Sequence, residues 1–270
     1  MTNKISILSL DGKSAGTVAL PIQFAEPVRT DLIKRAVLSL QSIARQPYGA
    51  SPLAGRRHAV DISRRRRDYK GSYGKGISRV PRKTMSRKGG QFNWVGAFAP
   101  GTVGGRRAHP PKITKDWEMK LNKKENRKAI RSAIAATLDK TFVAARGHVA
   151  PTAYPFAVVD GIEQIAKTKD LIAALTAFGF GDELARAAVP QKRSGVSAIR
   201  GRARKVRKSI LIVSSEDAPV MQAASNIPGV EAVPVSELNA EFLAPGCHPG
   251  RLTIFTQAAL KAMEERALFA

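Results

Sequence analysis

Positive charge in this chain is confined to a few segments, and that segregation constrains the fold more than any single motif. Residues 45–112 carry 17 Lys and Arg against two acids, Asp61 and Asp68. Residues 113–131 carry seven against three, and residues 192–208 carry eight against none. The remainder (1–44, 132–191 and 209–270) has 13 basic and 16 acidic side chains. A nearly neutral stretch can bury a core, whereas a run of like charges cannot, because burial would strip water from ions that have no partners. The pattern therefore predicts a neutral folded body bearing basic excursions. A formal net charge of +24 requires a polyanion as partner.

The neutral body reads as one α/β domain. Ile5-Ser6-Ile7-Leu8-Ser9-Leu10 alternates at period two, Asp11-Gly12 has turn chemistry, and Thr17-Val18-Ala19-Leu20 returns as a second strand. Thr30 or Asp31 is the expected cap of a helix whose apolar face is Leu32, Ile33, Ala36, Val37, Leu40 and Ile43. Asn122-x-x-Glu125 has the form of a capping box ahead of Ala129, Ile130, Ala133, Ile134 and Leu138. Strands are expected at 155–159, 210–213, 230–235 and 252–255. Helices are expected at 170–178, 182–189 and 220–226, with a short one after Ser236 and a last one from Gln257. Apolar strands alternating with helices predict a mostly parallel sheet covered by helices on both faces. Hydrophobic residues make up 43% of the 270, enough for a sizeable core.

Two segments break this alternation. Residues 47–115, following the first long helix, show no sustained period and are rich in Gly and Pro. They are expected to form a long basic irregular loop, disordered when free and ordered on a polyanion. Residues 190–208 form a second basic segment.

Catalytic and cofactor readings fail on spacing. Gly71-Ser72-Tyr73-Gly74-Lys75-Gly76 lacks the strand-loop-helix context of a phosphate loop, and Asp11-Gly12-Lys13-Ser14 lacks its first Gly. His58, His109, His148 and His248 are too far apart to pair as metal ligands. Asp160 and Glu163 are expected at a turn and on a helix surface. Cys247 beside His248 gives adjacency without the fixed geometry of a nucleophile. One cysteine allows no internal disulfide. No run of about 18 apolar residues is present, and Asp11 and Lys13 interrupt any apolar leader, so cytoplasm is the default.

The basic segments carry the binding chemistry. Arg45, Arg56 and Arg57 enter the first one, and Arg64, Arg65, Arg66 and Arg67 run into Tyr69, Lys70, Tyr73 and Lys75. Arg79, Arg82, Lys83, Arg87 and Lys88 precede Phe92 and Trp94, and Arg106, Arg107, His109 and Lys112 close the loop. Lys192, Arg193, Arg200, Arg202, Arg204, Lys205, Arg207 and Lys208 repeat the chemistry in the second segment. Guanidinium groups fork onto phosphate oxygens, Gly lets backbone approach phosphate, and aromatic planes stack on unpaired bases. Neither segment has the amphipathic face of a membrane-surface helix. No helix-turn-helix, zinc-finger or basic-zipper pattern favours DNA. Folded RNA is the expected ligand, ahead of an RNA-acting enzyme or chaperone and of a DNA-compacting protein.

The residues also resemble a family. Pro27-Val28-Arg29-Thr30-Asp31-Leu32-Ile33, Arg45-Gln46-Pro47-Tyr48-Gly49, Gly104-Gly105-Arg106-Arg107-Ala108-His109-Pro110-Pro111-Lys112, Arg200-Gly201-Arg202 and Pro249-Gly250-Arg251-Leu252-Thr253-Ile254-Phe255-Thr256 stand in order along nearly the whole chain. In these it is similar to the universal large-subunit ribosomal protein L-four, in its archaeal/eukaryotic form. No long basic tail follows Ala267, which points to the archaeal type. The resemblance implies a structural protein of the large ribosomal subunit whose loop penetrates ribosomal RNA (rRNA). It also implies a tunnel-lining tip, placed here by position at Ser72, Tyr73, Gly74, Lys75, Gly76, Ile77, Ser78 and Arg79. The implied partners are large-subunit rRNA and neighbouring ribosomal proteins, one of them at the tunnel constriction. No cofactor, metal, membrane or second copy of the chain is expected. The patch from Phe92 to Val103 is not universal in that family, so the resemblance assigns it no role.

Overall fold

The computed structural model describes residues 4–60, 62–69, 71–89 and 91–269, and only the backbone of Arg87 and Phe92. The chain runs β1 (Lys4–Leu8), β2 (Ser14–Ala19), α1 (Thr30–Ile43), β3 (Arg82–Lys88), β4 (Gln91–Gly96), α2 (Lys123–Leu138), α3 (Lys140–Ala145), β5 (Phe156–Val158), α4 (Thr168–Ala177) and α5 (Gly181–Ala188). It continues through β6 (Gln191–Lys192), α6 (Val196–Ile199), β7 (Arg204–Lys205), β8 (Leu211–Ser214), α7 (Val220–Ser225), β9 (Glu231–Pro234), α8 (Ala240–Leu243), β10 (Thr253–Thr256) and α9 (Gln257–Glu265). Two compact units result, one made of residues 1–44 and 118–270, the other of residues 45–117.

The first unit is the α/β body. Its six strands lie in the order β2-β1-β5-β10-β8-β9, all parallel except the antiparallel edge β2. Side chains alternate across the sheet as period two requires. Leu211, Val213 and Phe255 face Ile33, Ala36, Val37, Ile130, Ala133, Ile134, Leu260 and Met263 of α1, α2 and α9. Ile212, Ile254, Phe156 and Val158 face Leu171, Leu175, Val220 and Ala224 of α4 and α7. Helices thus cover both faces, as the alternation of the sequence predicts.

Several local expectations are corrected. Neither Thr30 nor Asp31 caps α1: Arg29 stands at the cap, and its guanidinium grips Asp31 at 2.6 Å. The capping box is not formed, because Asn122 occupies the cap of α2 without a side-chain hydrogen bond. Ile43, on the predicted apolar face, is 56% exposed. Helix α3 was not foreseen; the Asp139 carboxylate starts it by accepting from Thr141 N at 2.8 Å. Asp11-Gly12 is the turn between β1 and β2, where a Cβ on Gly12 (φ +77°) would lie 2.5 Å from Ala177 O, so the segment is a packed hairpin rather than a phosphate loop.

The second unit, 45–117, contains the strand pair β3–β4, antiparallel from Arg82↔Gly96 to Lys88↔Gln91 with a bulge between Thr84 and Ser86. The sequence reading expected no regular element here. Arg-Lys-Thr-Met-Ser-Arg-Lys has no apolar alternation to show a strand. The signal lay in the β-prone Phe92-Asn93-Trp94-Val95 and in Gly89-Gly90, a two-residue hairpin turn dipeptide.

Candidate nucleic-acid interface

The neck of the 45–117 unit is built by pairing its two limbs. Ala50 N donates to Pro111 O at 3.1 Å, and a Cβ on Gly55 (φ +71°) would meet Arg106 N at 2.4 Å, so only Gly lets the limbs approach here. Tyr48 and Trp117 stack with ring centroids 4.4 Å apart. Arg45 lies 4.7 Å and Lys115 4.8 Å from the Trp117 ring, so one indole holds two cations. Arg56, Arg57, Arg107, His109 and Lys112 point outward from this neck, while Arg106 is half-buried.

Further along, Arg64, Arg65, Arg66 and Arg67 are all exposed, as is Tyr69 at 80%. The turn that presents them is closed by Asp68, which accepts from Ser63 Oγ and, at 2.8 Å, from Tyr69 N. These bonds hold the Asp68 carboxyl below its usual range, so it stays ionised while structuring the turn. Arg67 has φ +57°, a left-handed conformation that turns the chain at the end of the run.

Some of the predicted tip contacts are made within the unit. Lys75 Nζ donates to Gly71 O at 2.7 Å and lies 4.6 Å from the Trp94 ring. Arg79 donates to Tyr73 Oη at 3.1 Å. Arg82 reaches Trp94 O and Ser78 O at 3.3 Å and Ser78 Oγ at 3.0 Å. Ser72 is buried and Ile77 half-buried, while Gly74, Gly76, Ser78 and Arg79 are exposed. Lys83 is half-buried and Lys88 exposed. Lys70 and the side chain of Arg87 lie outside the described residues.

The second segment is a small hairpin on the first unit. Strands β6 and β7 pair Gln191 with Lys205 and Lys192 with Arg204, and α6 forms the bend between them. Every basic side chain from Lys192 to Lys208 is exposed, although the Lys208 ammonium is engaged by the Glu231 carboxylate.

Sequence reading missed the charges inside the body. Glu183, fully buried, accepts from Arg186 Nη2 (2.6 Å), His148 Nδ1 (2.7 Å), Val149 N (2.9 Å) and Ser209 Oγ (2.9 Å). Burial alone would raise its pKa, but these donors bring it down to about 2. Burial lowers that of His148, against the pull of Glu183 and with repulsion from Arg186 and Arg146, so Arg186 supplies the counter-charge and His148 stays neutral. Glu163, expected on a surface, is buried and accepts from Ser215 N and Oγ at 2.8 Å and from Thr256 Oγ1 at 2.6 Å. Arg251, fully buried, meets Glu231 at 2.5 Å. Each is spent on tying strands and loops together. Among the described residues no cluster of three or more His, Cys, Asp or Glu could hold a metal, and no helix is long and apolar enough to cross a membrane.

A parallel α/β body that pairs its buried charges internally and displays its surplus cations on an insertion and a surface hairpin defines a basic structural protein. The chain belongs to the ribosomal protein L4/L1 family, whose sequence model matches residues 18–266. It is similar to the large ribosomal subunit protein uL4 of Nanoarchaeum equitans, 46% identical over 267 residues, covering 98% of this chain and 99% of that protein. The uL4 proteins of Archaeoglobus fulgidus (44% over 263 residues; 97% and 98% covered) and Halobacterium salinarum (40% over 266; 97% and 100%) are also similar. All three organisms are archaea, as the resemblance to the archaeal type implied. Members of the family are structural components, and the chain is a ribosomal protein and not an enzyme.

Proposed function

We propose that this protein is a structural constituent of the large subunit of the cytoplasmic ribosome, and that residues 47–115 and 190–208 bind large-subunit rRNA and support its assembly. The observation that carries this reading is the exposure of Arg64, Arg65, Arg66 and Arg67, and of every Lys and Arg from Lys192 to Lys208, on a chain that is nearly neutral outside residues 45–131 and 192–208. Such groups neutralise phosphates where RNA helices approach one another and release the counterions condensed there. The tip of the insertion, Ser72 to Arg79, lines the nascent-peptide exit tunnel beside a neighbouring ribosomal protein. Support for that last step is the likeness to the L-four family and the internal bracing of Lys75, Arg79 and Arg82, which stiffens the tip.

A tagged copy expressed in cells should sediment with the large subunit in a high-salt gradient. Recovery at the top of the gradient would overturn the reading. For the tunnel, a photo-crosslinker in place of Ile77 should capture a stalled nascent chain, and its absence from every crosslink would remove the tip from the tunnel wall. Competition at about 0.2 M salt should favour structured RNA over duplex DNA.

A further inference from the structure

The basic hairpin of the α/β unit faces two arginines that the sequence pattern did not announce, Arg146 and Arg186. A cleft of about 1110 Å³ lies between the 190–208 hairpin, the end of α3, helix α5 and the turn at 245–249. One wall carries Arg193, Arg204, Lys205 and Arg207, all exposed. The opposite side supplies Arg146 and Arg186.

These two inner arginines differ. Arg186 is neutralised by Glu183 at 2.6 Å. Arg146, half-buried at the end of α3, donates to Pro245 O at 2.7 Å and to His248 O, both uncharged acceptors. Among the described residues no acid pairs with it. Burial, with repulsion from Arg251 and Arg186, lowers its pKa to about 10. A cation held in this way beside other cations gains stability from an arriving anion. Beside it, His148 is 8% exposed, and its Nε2 has no partner among the described residues. Nδ1 is committed to Glu183 and the ring is shielded from solvent, so His148 braces the floor of the cleft beneath Arg146 and Arg186.

We propose that this cleft is a second RNA-backbone site, on the α/β unit, with Arg146 as its inner anchor and Arg193, Arg204 and Arg207 as its outer wall. The inference rests on the reading of the chain as an rRNA-binding protein and adds a groove to it. The hairpin is then not a free basic arm but one side of a preformed slot. Forked guanidinium groups on both sides suit successive phosphates of one strand better than the irregular carboxylates of an acidic peptide.

Directed hydroxyl-radical cleavage tests it with the full chain and a complete large-subunit rRNA transcript. Cys247 is the one cysteine, so a Cys247→Ser background accepts an iron-EDTA tether at His248→Cys, exposed on the cleft. Val103→Cys, fully exposed in the insertion, reports on RNA there. Cuts from both positions are expected. Those from 248 should disappear in the Arg193→Gln, Arg204→Gln, Arg207→Gln variant while those from 103 persist, and affinity should fall roughly a hundredfold at 0.1 M salt. These three side chains are on the surface, so the variant folds. Cuts from 103 alone overturn the cleft and leave the rRNA reading standing. Cuts from 248 that persist in the triple variant overturn it too. Silence from both positions removes the rRNA reading and the cleft with it.

Discussion

Arg251 and Glu231 form an ion pair of 2.5 Å in which the guanidinium is wholly shielded from water. The same guanidinium donates to Ser209 O (2.8 Å), Phe242 O (3.0 Å) and Gly229 O (3.3 Å), so one side chain ties the approaches to β8, β9 and β10 and the end of α8. Taking two charges out of water costs more than their attraction returns unless the remaining donors are also satisfied, and here the carbonyls satisfy them. Removing the guanidinium leaves the Ser209 and Phe242 carbonyls without this donor, while Glu231, partly exposed, keeps Lys208. Arg251→Met should therefore lower unfolding free energy by about 2–3 kcal/mol in a urea titration. A loss under about 1 kcal/mol would mean that water replaces the guanidinium at these carbonyls.

The Glu183, His148 and Arg186 cluster makes stability depend on pH. Burial holds the folded pKa of His148 below its ordinary value of 6.5, so between that value and the folded one the unfolded chain binds a proton that the folded chain does not. Stability then falls as pH drops below about 6.5, by linkage. Glu183, whose pKa is brought down to about 2, adds a second loss as pH falls through 4.5 toward that value. His148→Gln should flatten the stability profile just below about pH 6.5 and leave the loss below pH 4.5 in place. An unchanged slope in the upper window would show that His148 is protonated in the folded state.

The body of the fold was legible because its strands and helices bury apolar faces at regular spacing. Leu211, Ile212 and Val213 announced a two-sided strand, and Ile33, Ala36 and Val37 a helix face. What escaped was whatever does not depend on apolar period. β3 is a strand of charged and polar residues held by its partner β4, and α3 is a six-residue helix started by Asp139. For the interface, sequence could locate cations but not their environment. Arg66 and Lys75 look alike in the sequence, yet one is exposed and the other lies half-buried against Trp94. Arg146 stood alone in its stretch, and only folding brings it across the cleft from the hairpin.

The stacked pair Tyr48 and Trp117 closes the neck of the insertion, with Arg45 and Lys115 over the indole. Aromatic pairs of this kind contribute about 0.5–1.5 kcal/mol beyond the area they bury. Trp117→Ala should loosen the limbs, and the amide of Ala50, bonded to Pro111 O, should exchange with solvent roughly fivefold faster or more. Trp117→Phe should restore most of the protection. Equal exchange in all three proteins would place the closure of the neck in backbone pairing alone.

The four-arginine turn offers the sharpest electrostatic test, because its geometry depends on Ser63 and Asp68 rather than on the arginines themselves. Replacing Arg64, Arg65, Arg66 and Arg67 with Gln should leave the turn and the fold intact. If each guanidinium sits on a phosphate, the slope of log affinity for large-subunit rRNA against log salt should become shallower by roughly 0.7–0.9 per contact, about 3 in all. A change near 1 would mean that one guanidinium reaches the backbone while the others remain in solvent. An unchanged slope would remove the run from the interface and leave the neck, the tip and the hairpin to carry RNA binding.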